Sequence, residues 1–131
     1  ATYHPDVKSL FAQSEFLSIN CPATSETVNL LNEETIKFLP DKVVVANAAR
    51  GDVINDDAMI KAMKSGKVFA LGLDVYNGEP KINEEYLKLD NLFLLPHLGS
   101  ATKRTRIDMG DRAIDNLQEF FSNKKPKDQI N

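Results

Sequence analysis

Apolar residues in this chain are concentrated in four short, uninterrupted runs, and each run contains or precedes a polar residue suited to chemistry. The runs are Phe16–Ile19, Val43–Ala49, Val68–Val75 and Leu92–Leu95. Uninterrupted runs of this length are typical of strands in a parallel sheet that is buried on both faces. Parallel sheets bind ligands outside the carboxyl ends of their strands. The polar residues there therefore predict a site at one edge of a sheet.

The segments between the runs predict connecting helices. Asn55 is a plausible N-cap, and Gly66 can adopt the left-handed conformation that ends a helix. A last helix is expected from after Thr102 to about Asn123, because apolar residues recur there at helical spacing. Shorter helical segments are expected over Pro5–Ala12, Asn32–Phe38 and Glu84–Leu89. This alternation predicts an α/β fold with a parallel sheet and right-handed crossovers.

The glycines do not form a phosphate-binding loop. Nucleotide-binding sheets of the doubly wound type usually begin with a strand that leads into a glycine-rich turn. The chain has six glycines, and no two of them lie at the required spacing. The pattern therefore predicts the second half of a doubly wound sheet without the first.

Composition argues against several classes of function. The 131 residues carry a formal net charge of −3, with no basic face that would suggest a nucleic-acid partner. No apolar run approaches the roughly 18 residues that span a membrane. The single cysteine, Cys21, cannot form an internal disulfide and fits a reducing, cytoplasmic compartment; we interpret it as a buried, unreactive thiol. We predict no metal site, because the histidines and acids lack ligand spacing.

Two residues that follow predicted strands, one cationic and one titratable, are candidates for chemistry. Arg50 offers a planar pair of donors that can bind a carboxylate through two hydrogen bonds, although it could also be an ordinary surface arginine. His97 follows Pro96 at a strand end and could donate a proton near neutral pH. Its alternative role is to hydrogen-bond loop carbonyls.

Two carboxylates complete the candidate set. Glu79 lies in a turn and, beside a histidine, would fix its tautomer and favour its charged form; otherwise it is a solvent-facing turn residue. Asp74 lies within an apolar run, where a carboxylate needs a partner. It could face a cofactor amide or accept backbone hydrogen bonds. Together an arginine, a histidine and two carboxylates indicate hydride transfer to a 2-oxo acid.

Three segments carry a resemblance to a known family. Val45–Ile54, Gly72–Pro80 and Leu95–Thr102 resemble, in order and spacing, the D-isomer-specific 2-hydroxyacid dehydrogenases. The stretch from Ile82 to Leu94 is most similar to the branch of glyoxylate and hydroxypyruvate reductases, which includes glycerate dehydrogenases. The resemblance implies a Rossmann domain that binds NAD or NADP and acts on glyoxylate, hydroxypyruvate or D-glycerate.

The resemblance also implies roles for particular residues. The family's catalytic arginine, glutamate and histidine correspond to Arg50, Glu79 and His97. The implied cofactor-binding residues are Cys21, Pro22, Thr27, Ala48, Ala49, Arg50, Asp74, His97, Gly99 and Ser100. Two positions depart from the family pattern: Asn20 replaces a frequent histidine, and Ala48 replaces a frequent threonine, so that a side-chain contact is lost.

Family chains are more than twice as long. We therefore expect residues 1–131 to form part of an NAD(P)-binding domain, with the phosphate-binding loop and substrate domain outside this chain. The whole protein is expected to be a homodimer, whereas the chain alone should be inactive. Because the strand Phe16–Ile19 exposes an apolar edge, we also expect the isolated chain to self-associate, to be loosely folded, or to be part of a longer chain. An alternative function is a non-catalytic, nucleotide-responsive interaction module, a role that some relatives have in transcriptional corepression.

Overall fold

The computed structural model describes residues 1–130 and contains one four-stranded parallel sheet. Its strands are β1 (Phe16–Ile19), β2 (Val43–Asn47), β3 (Val68–Leu73) and β4 (Leu92–Leu94), in the order β1-β2-β3-β4. Their last residues pair with one another across the sheet, so that the carboxyl ends form one edge. The predicted α/β class with a parallel sheet is confirmed.

The two longest helices begin directly after Asn55 and Thr102, as predicted, whereas the shorter helical segments span fewer residues than predicted. They are α1 (Val7–Phe11), α2 (Glu33–Ile36), α3 (Asp56–Lys64) and α4 (Lys103–Phe121), with 3-10 turns at Gly51–Val53 and Tyr86–Lys88. The Asn55 side chain accepts a hydrogen bond from the Ala58 N–H (3.0 Å), and Gly66 has φ +79°. Thr102 caps α4 in the same way. These capping predictions are confirmed.

Burial of the sheet on both faces was predicted, and this prediction is wrong. Along β1 the burial alternates, with Leu17 and Ile19 in the core. Three phenylalanines of the strands, Phe16, Phe69 and Phe93, are instead exposed, with accessible fractions of 79%, 60% and 66%. Each strand lies beside the strand that precedes it in the chain and runs parallel to it. Because the crossover connections have the same handedness and cross the sheet in the same direction, α2 and α3 lie on the same face. The apolar core consequently lies on that side.

Three of the strands are shorter than predicted. β2 ends at Asn47 rather than Ala49, β3 ends at Leu73 rather than Val75, and β4 ends at Leu94 rather than Leu95. The chain turns at Asn47 because the Asn47 side chain hydrogen-bonds to the backbone of Ala49 and Arg50.

The chain divides into two compact units. The first, Ala1–Pro96, contains the sheet and α1 to α3. The second begins at His97 and contains α4, none of whose residues is buried. The segment after α4 returns along it: Asp128 accepts two hydrogen bonds from the Arg112 guanidinium (2.6 and 2.7 Å). Within residues 1–130, no helix has the length and apolar character needed to cross a bilayer.

Candidate active site

Arg50 is held in place through the backbone by a buried amide. Asn47, the last residue of β2, is 2% exposed. Its Nδ2 donates to the Arg50 carbonyl (2.9 Å), and its Oδ1 accepts from the Ala49 N–H (3.0 Å). Arg50 itself is exposed, and its Nη1 donates to the Ala49 carbonyl (2.7 Å). The backbone of Arg50 is therefore fixed, while the side chain lies at the surface beyond the strand.

Asp74 and Glu79 lie on the loop that follows β3. Asp74 comes directly after the strand, is half-buried, and donates its N–H to the Asn47 carbonyl (3.0 Å). Glu79 is exposed, and its Oε1 accepts from the Tyr76 N–H (3.0 Å). This bond fixes the carboxylate over its own turn.

The loops bearing Arg50 and Glu79 touch through their backbones. A Cβ added to Gly51 would lie 2.1 Å from the carbonyl carbon of Tyr76 and 2.5 Å from the Asn77 nitrogen. Only glycine permits so close an approach. Arg50 and the turn of Glu79 are therefore neighbours at the carboxyl edge of the sheet.

A cleft of about 540 Å³ opens beyond the ends of β1 and β2. Its lining residues are Asn20, Cys21, Pro22, Ala23, Ala48, Ala49 and Arg50. Five of the predicted site residues are among them. Cys21 is half-buried rather than fully buried, so the prediction of a buried thiol is wrong. The thiol contributes to the cleft wall because β1 has ended two residues before it.

Thr27 does not line this cleft. Its Oγ1 donates to the Pro22 carbonyl (2.7 Å) and accepts from the Thr24 N–H (2.8 Å). Thr27 therefore stabilises the loop that forms the cleft wall, and a direct cofactor contact from it stays a prediction.

The remaining predicted residues lie in the second unit. His97 is exposed with φ +56°, and Gly99 and Ser100 follow it in an exposed segment before α4. The Ala101 N–H donates to the Leu98 carbonyl (2.9 Å), closing a turn. Cooperation of His97 with Arg50 and Glu79 stays a prediction.

Sequence reasoning gave Asn47 no role. A polar residue ending an apolar run was the available signal, since a buried amide must find hydrogen-bond partners. No group of three potential metal ligands comes together in the described part of the chain.

A parallel sheet with a cleft at its carboxyl edge is the arrangement of Rossmann-like dinucleotide-binding domains. Residues 1–99 match the family model of the D-isomer specific 2-hydroxyacid dehydrogenase, NAD binding domain. The chain belongs to this family, as the sequence motifs predicted.

Individual relatives agree. Glycerate dehydrogenase of Hyphomicrobium methylovorum is 43% identical over 121 residues, which are 92% of this chain and 38% of that protein. A solved structure from Polaromonas sp. JS6 66, assigned to the same family, is 41% identical with a TM-score of 0.96, covering 100% of this chain and 41% of the other.

An NADPH-dependent glyoxylate/hydroxypyruvate reductase of Sinorhizobium meliloti, solved with NADP and malonate, is 35% identical with a TM-score of 0.88. The match covers 92% of this chain and 38% of that one. The chain thus spans about two fifths of the length of these relatives.

Proposed function

We propose that the whole protein is an NAD(P)-dependent oxidoreductase that interconverts a small 2-oxo acid and its 2-hydroxy acid. Glyoxylate, hydroxypyruvate and D-glycerate are the substrates we favour, since relatives are named for reactions on them. The observation that carries the proposal is Arg50, which lies exposed at a cleft on the carboxyl edge and has its backbone fixed by Asn47. A guanidinium in this position suits a small carboxylate substrate.

The cleft residues fit a dinucleotide cofactor, NAD or NADP. Pro22, Ala48 and Ala49 line the cleft with small side chains, and Ala48 is exposed. When bound, the cofactor would supply the hydride that reaches the carbonyl carbon of the 2-oxo acid. Asp74, directly after β3, is the residue we assign to the nicotinamide amide.

The chain's own residues would bind the substrate and move the proton. Arg50 would bind the carboxylate and polarise the carbonyl oxygen. His97 would donate a proton to that oxygen during reduction and take it back during oxidation. Glu79, held by the Tyr76 N–H, would orient the imidazole and favour its charged form.

Assembly and location are further parts of the proposal. We infer that the whole protein is a cytoplasmic homodimer, which equilibrium sedimentation of the whole protein and cell fractionation would test. Cys21, the one cysteine within these 131 residues, has no partner for a disulfide inside them, which is compatible with a reducing compartment.

Substitution of Arg50 tests the proposed reaction. In the whole protein, Arg50→Ala should lower kcat/KM for glyoxylate or hydroxypyruvate by about 100-fold or more, because a charge-assisted bidentate contact is lost. Arg50→Lys should restore only part of it, since lysine cannot form the bidentate pair. Arg104→Ala, which changes an exposed arginine of α4, is the matched control.

Near-normal turnover of Arg50→Ala would refute the assignment. An inactive wild-type protein that binds NAD(P) and a protein partner would favour the interaction module instead.

A further inference from the structure

A small polar network lies behind the loop that carries Asp74 and Glu79. Asn77, two residues before Glu79, donates through Nδ2 to the Ile54 carbonyl (2.9 Å) and to Asp56 Oδ1 (3.0 Å). The Tyr86 hydroxyl donates to the same Asp56 oxygen (3.2 Å). One carboxylate at the start of α3 therefore receives hydrogen bonds from both halves of the β3–β4 connection.

We propose that Asp56, Asn77 and Tyr86 are positioning residues that hold the Glu79 turn against the segment following Arg50. The inference rests on the proposed function, because it assigns these residues to the same reaction. They are distinct from the residues proposed to touch substrate or cofactor, since they bond to one another and to the backbone.

The contacts of Asn77 explain how the turn is held. The Ile54 carbonyl is four residues beyond Arg50, and it belongs to the segment that Gly51 begins. The Gly51 backbone lies so close to the peptide between Tyr76 and Asn77 that a Cβ at Gly51 would clash with it. Asn77 thus hydrogen-bonds the loop that follows β3 to the segment that follows Gly51, next to the backbone contact at Gly51. If Asn77 were released, the Tyr76 N–H and the Glu79 carboxylate that it binds could move together.

Tyr86 makes the network rigid. Its side chain is fully buried, so its hydroxyl needs an acceptor, and Asp56 supplies one. Burial, followed by the nearby Asp56 carboxylate, raises the pKa of Tyr86, and the hydroxyl remains a donor at any working pH. Asp56 is half-buried in the first turn of α3, and one oxygen of its carboxylate accepts both side-chain hydrogen bonds.

The test uses variants of the whole protein. Asn77→Ala removes two donors, and Tyr86→Phe removes one hydroxyl while keeping the ring in the core. Asp56→Ala removes the shared acceptor, and Asp56→Asn keeps an acceptor oxygen and should rescue part of the loss. Asp57→Ala is the matched control, because Asp57 is an exposed acid in the same helical turn.

The first measurement is independent of activity. Amide hydrogen exchange across residues 74–80 should quicken by about tenfold or more in Asn77→Ala and Asp56→Ala, because local opening becomes easier when these bonds are lost. Asp57→Ala should leave it unchanged. Unaltered exchange in Asn77→Ala would overturn the proposed network, whether or not the protein is an enzyme.

The second measurement connects the network to the reaction. The kcat for the 2-oxo acid should fall by about tenfold or more in Asn77→Ala and less in Tyr86→Phe, since a small misplacement of a catalytic group has a large effect on rate. The KM for the cofactor should change little. The alkaline limb of the pH–rate profile for reduction should move to lower pH, because the proton donor His97 must be protonated and a misplaced Glu79 would favour its charged form less. A faster-exchanging loop with unchanged kcat and pH profile would refute the positioning role. An inactive wild-type protein would instead refute the proposed function.

Discussion

Replacing Asn47 with alanine should destabilise the protein far more than its size suggests. The change removes the hydrogen bond to the Arg50 carbonyl, whose net contribution is about 1 kcal/mol. It also leaves the N–H of buried Ala49 without its acceptor, at a cost of about 1–3 kcal/mol. The expected loss is therefore about 2–4 kcal/mol, a large part of the ~5–15 kcal/mol typical of a folded domain.

Urea unfolding followed by circular dichroism measures this loss. With a dependence of about 2 kcal/mol per molar urea, the midpoint of Asn47→Ala should fall by about 1–2 M. The control is Asn20→Ala, which removes an exposed asparagine at the end of β1, where Nδ2 donates to Ser18 Oγ (2.8 Å). Its midpoint should correspond to a change within about 0.5 kcal/mol. Equal midpoints for the two variants would refute the argument that the buried amide stabilises the Arg50 turn.

Three further predictions concern the close approach at Gly51, acid stability and self-association. Gly51→Ala should lower the free energy of unfolding in urea by about 1–3 kcal/mol, because its Cβ would lie 2.1 Å from the Tyr76 carbonyl carbon. Gly110→Ala is the control, since its Cβ meets nothing within 4 Å, and it should be neutral or stabilising. Equal losses of stability in the two variants would contradict this prediction. Two lysines lower the pKa of Glu85 to about 2, so its stabilising contribution is present above the unfolded pKa of about 4.3 and is lost as pH falls through about 2; Glu85→Gln should flatten the fall in urea midpoint over that range, and an unchanged acid profile would count against it. The isolated 131-residue chain should show a sedimentation coefficient that rises with concentration, and Phe16→Lys should weaken this effect; a monodisperse wild-type monomer would be the contrary result.

The sequence predicted the fold well where the signals are local. Apolar runs and caps such as Asn55 and Thr102 depend on neighbouring residues, and the structure confirms the strands and helices they predicted. The strand ends were less predictable, because β2 stops where the Asn47 side chain bonds the backbone. One-sided burial was missed, since a run of apolar residues does not reveal what packs on each face.

The candidate site was predictable only in part. Arg50 and the cleft-lining residues follow strands, so the topology of a parallel sheet places them at one edge. The network around Asp56 was not predictable, because its partners Asn77 and Tyr86 are 21 and 30 residues away along the chain. Such contacts depend on how the loop packs, which no local pattern records.

The one-sided core also affects how stability varies with temperature. The heat-capacity change of unfolding grows with the apolar area newly exposed to water. Phe16, Phe69 and Phe93 are largely hydrated already and add little to that area when the chain unfolds. The isolated chain should therefore have a heat-capacity increment below the usual ~12–15 cal/mol/K per residue, with a correspondingly flat stability curve. Any surface that covers these rings would make that curve steeper.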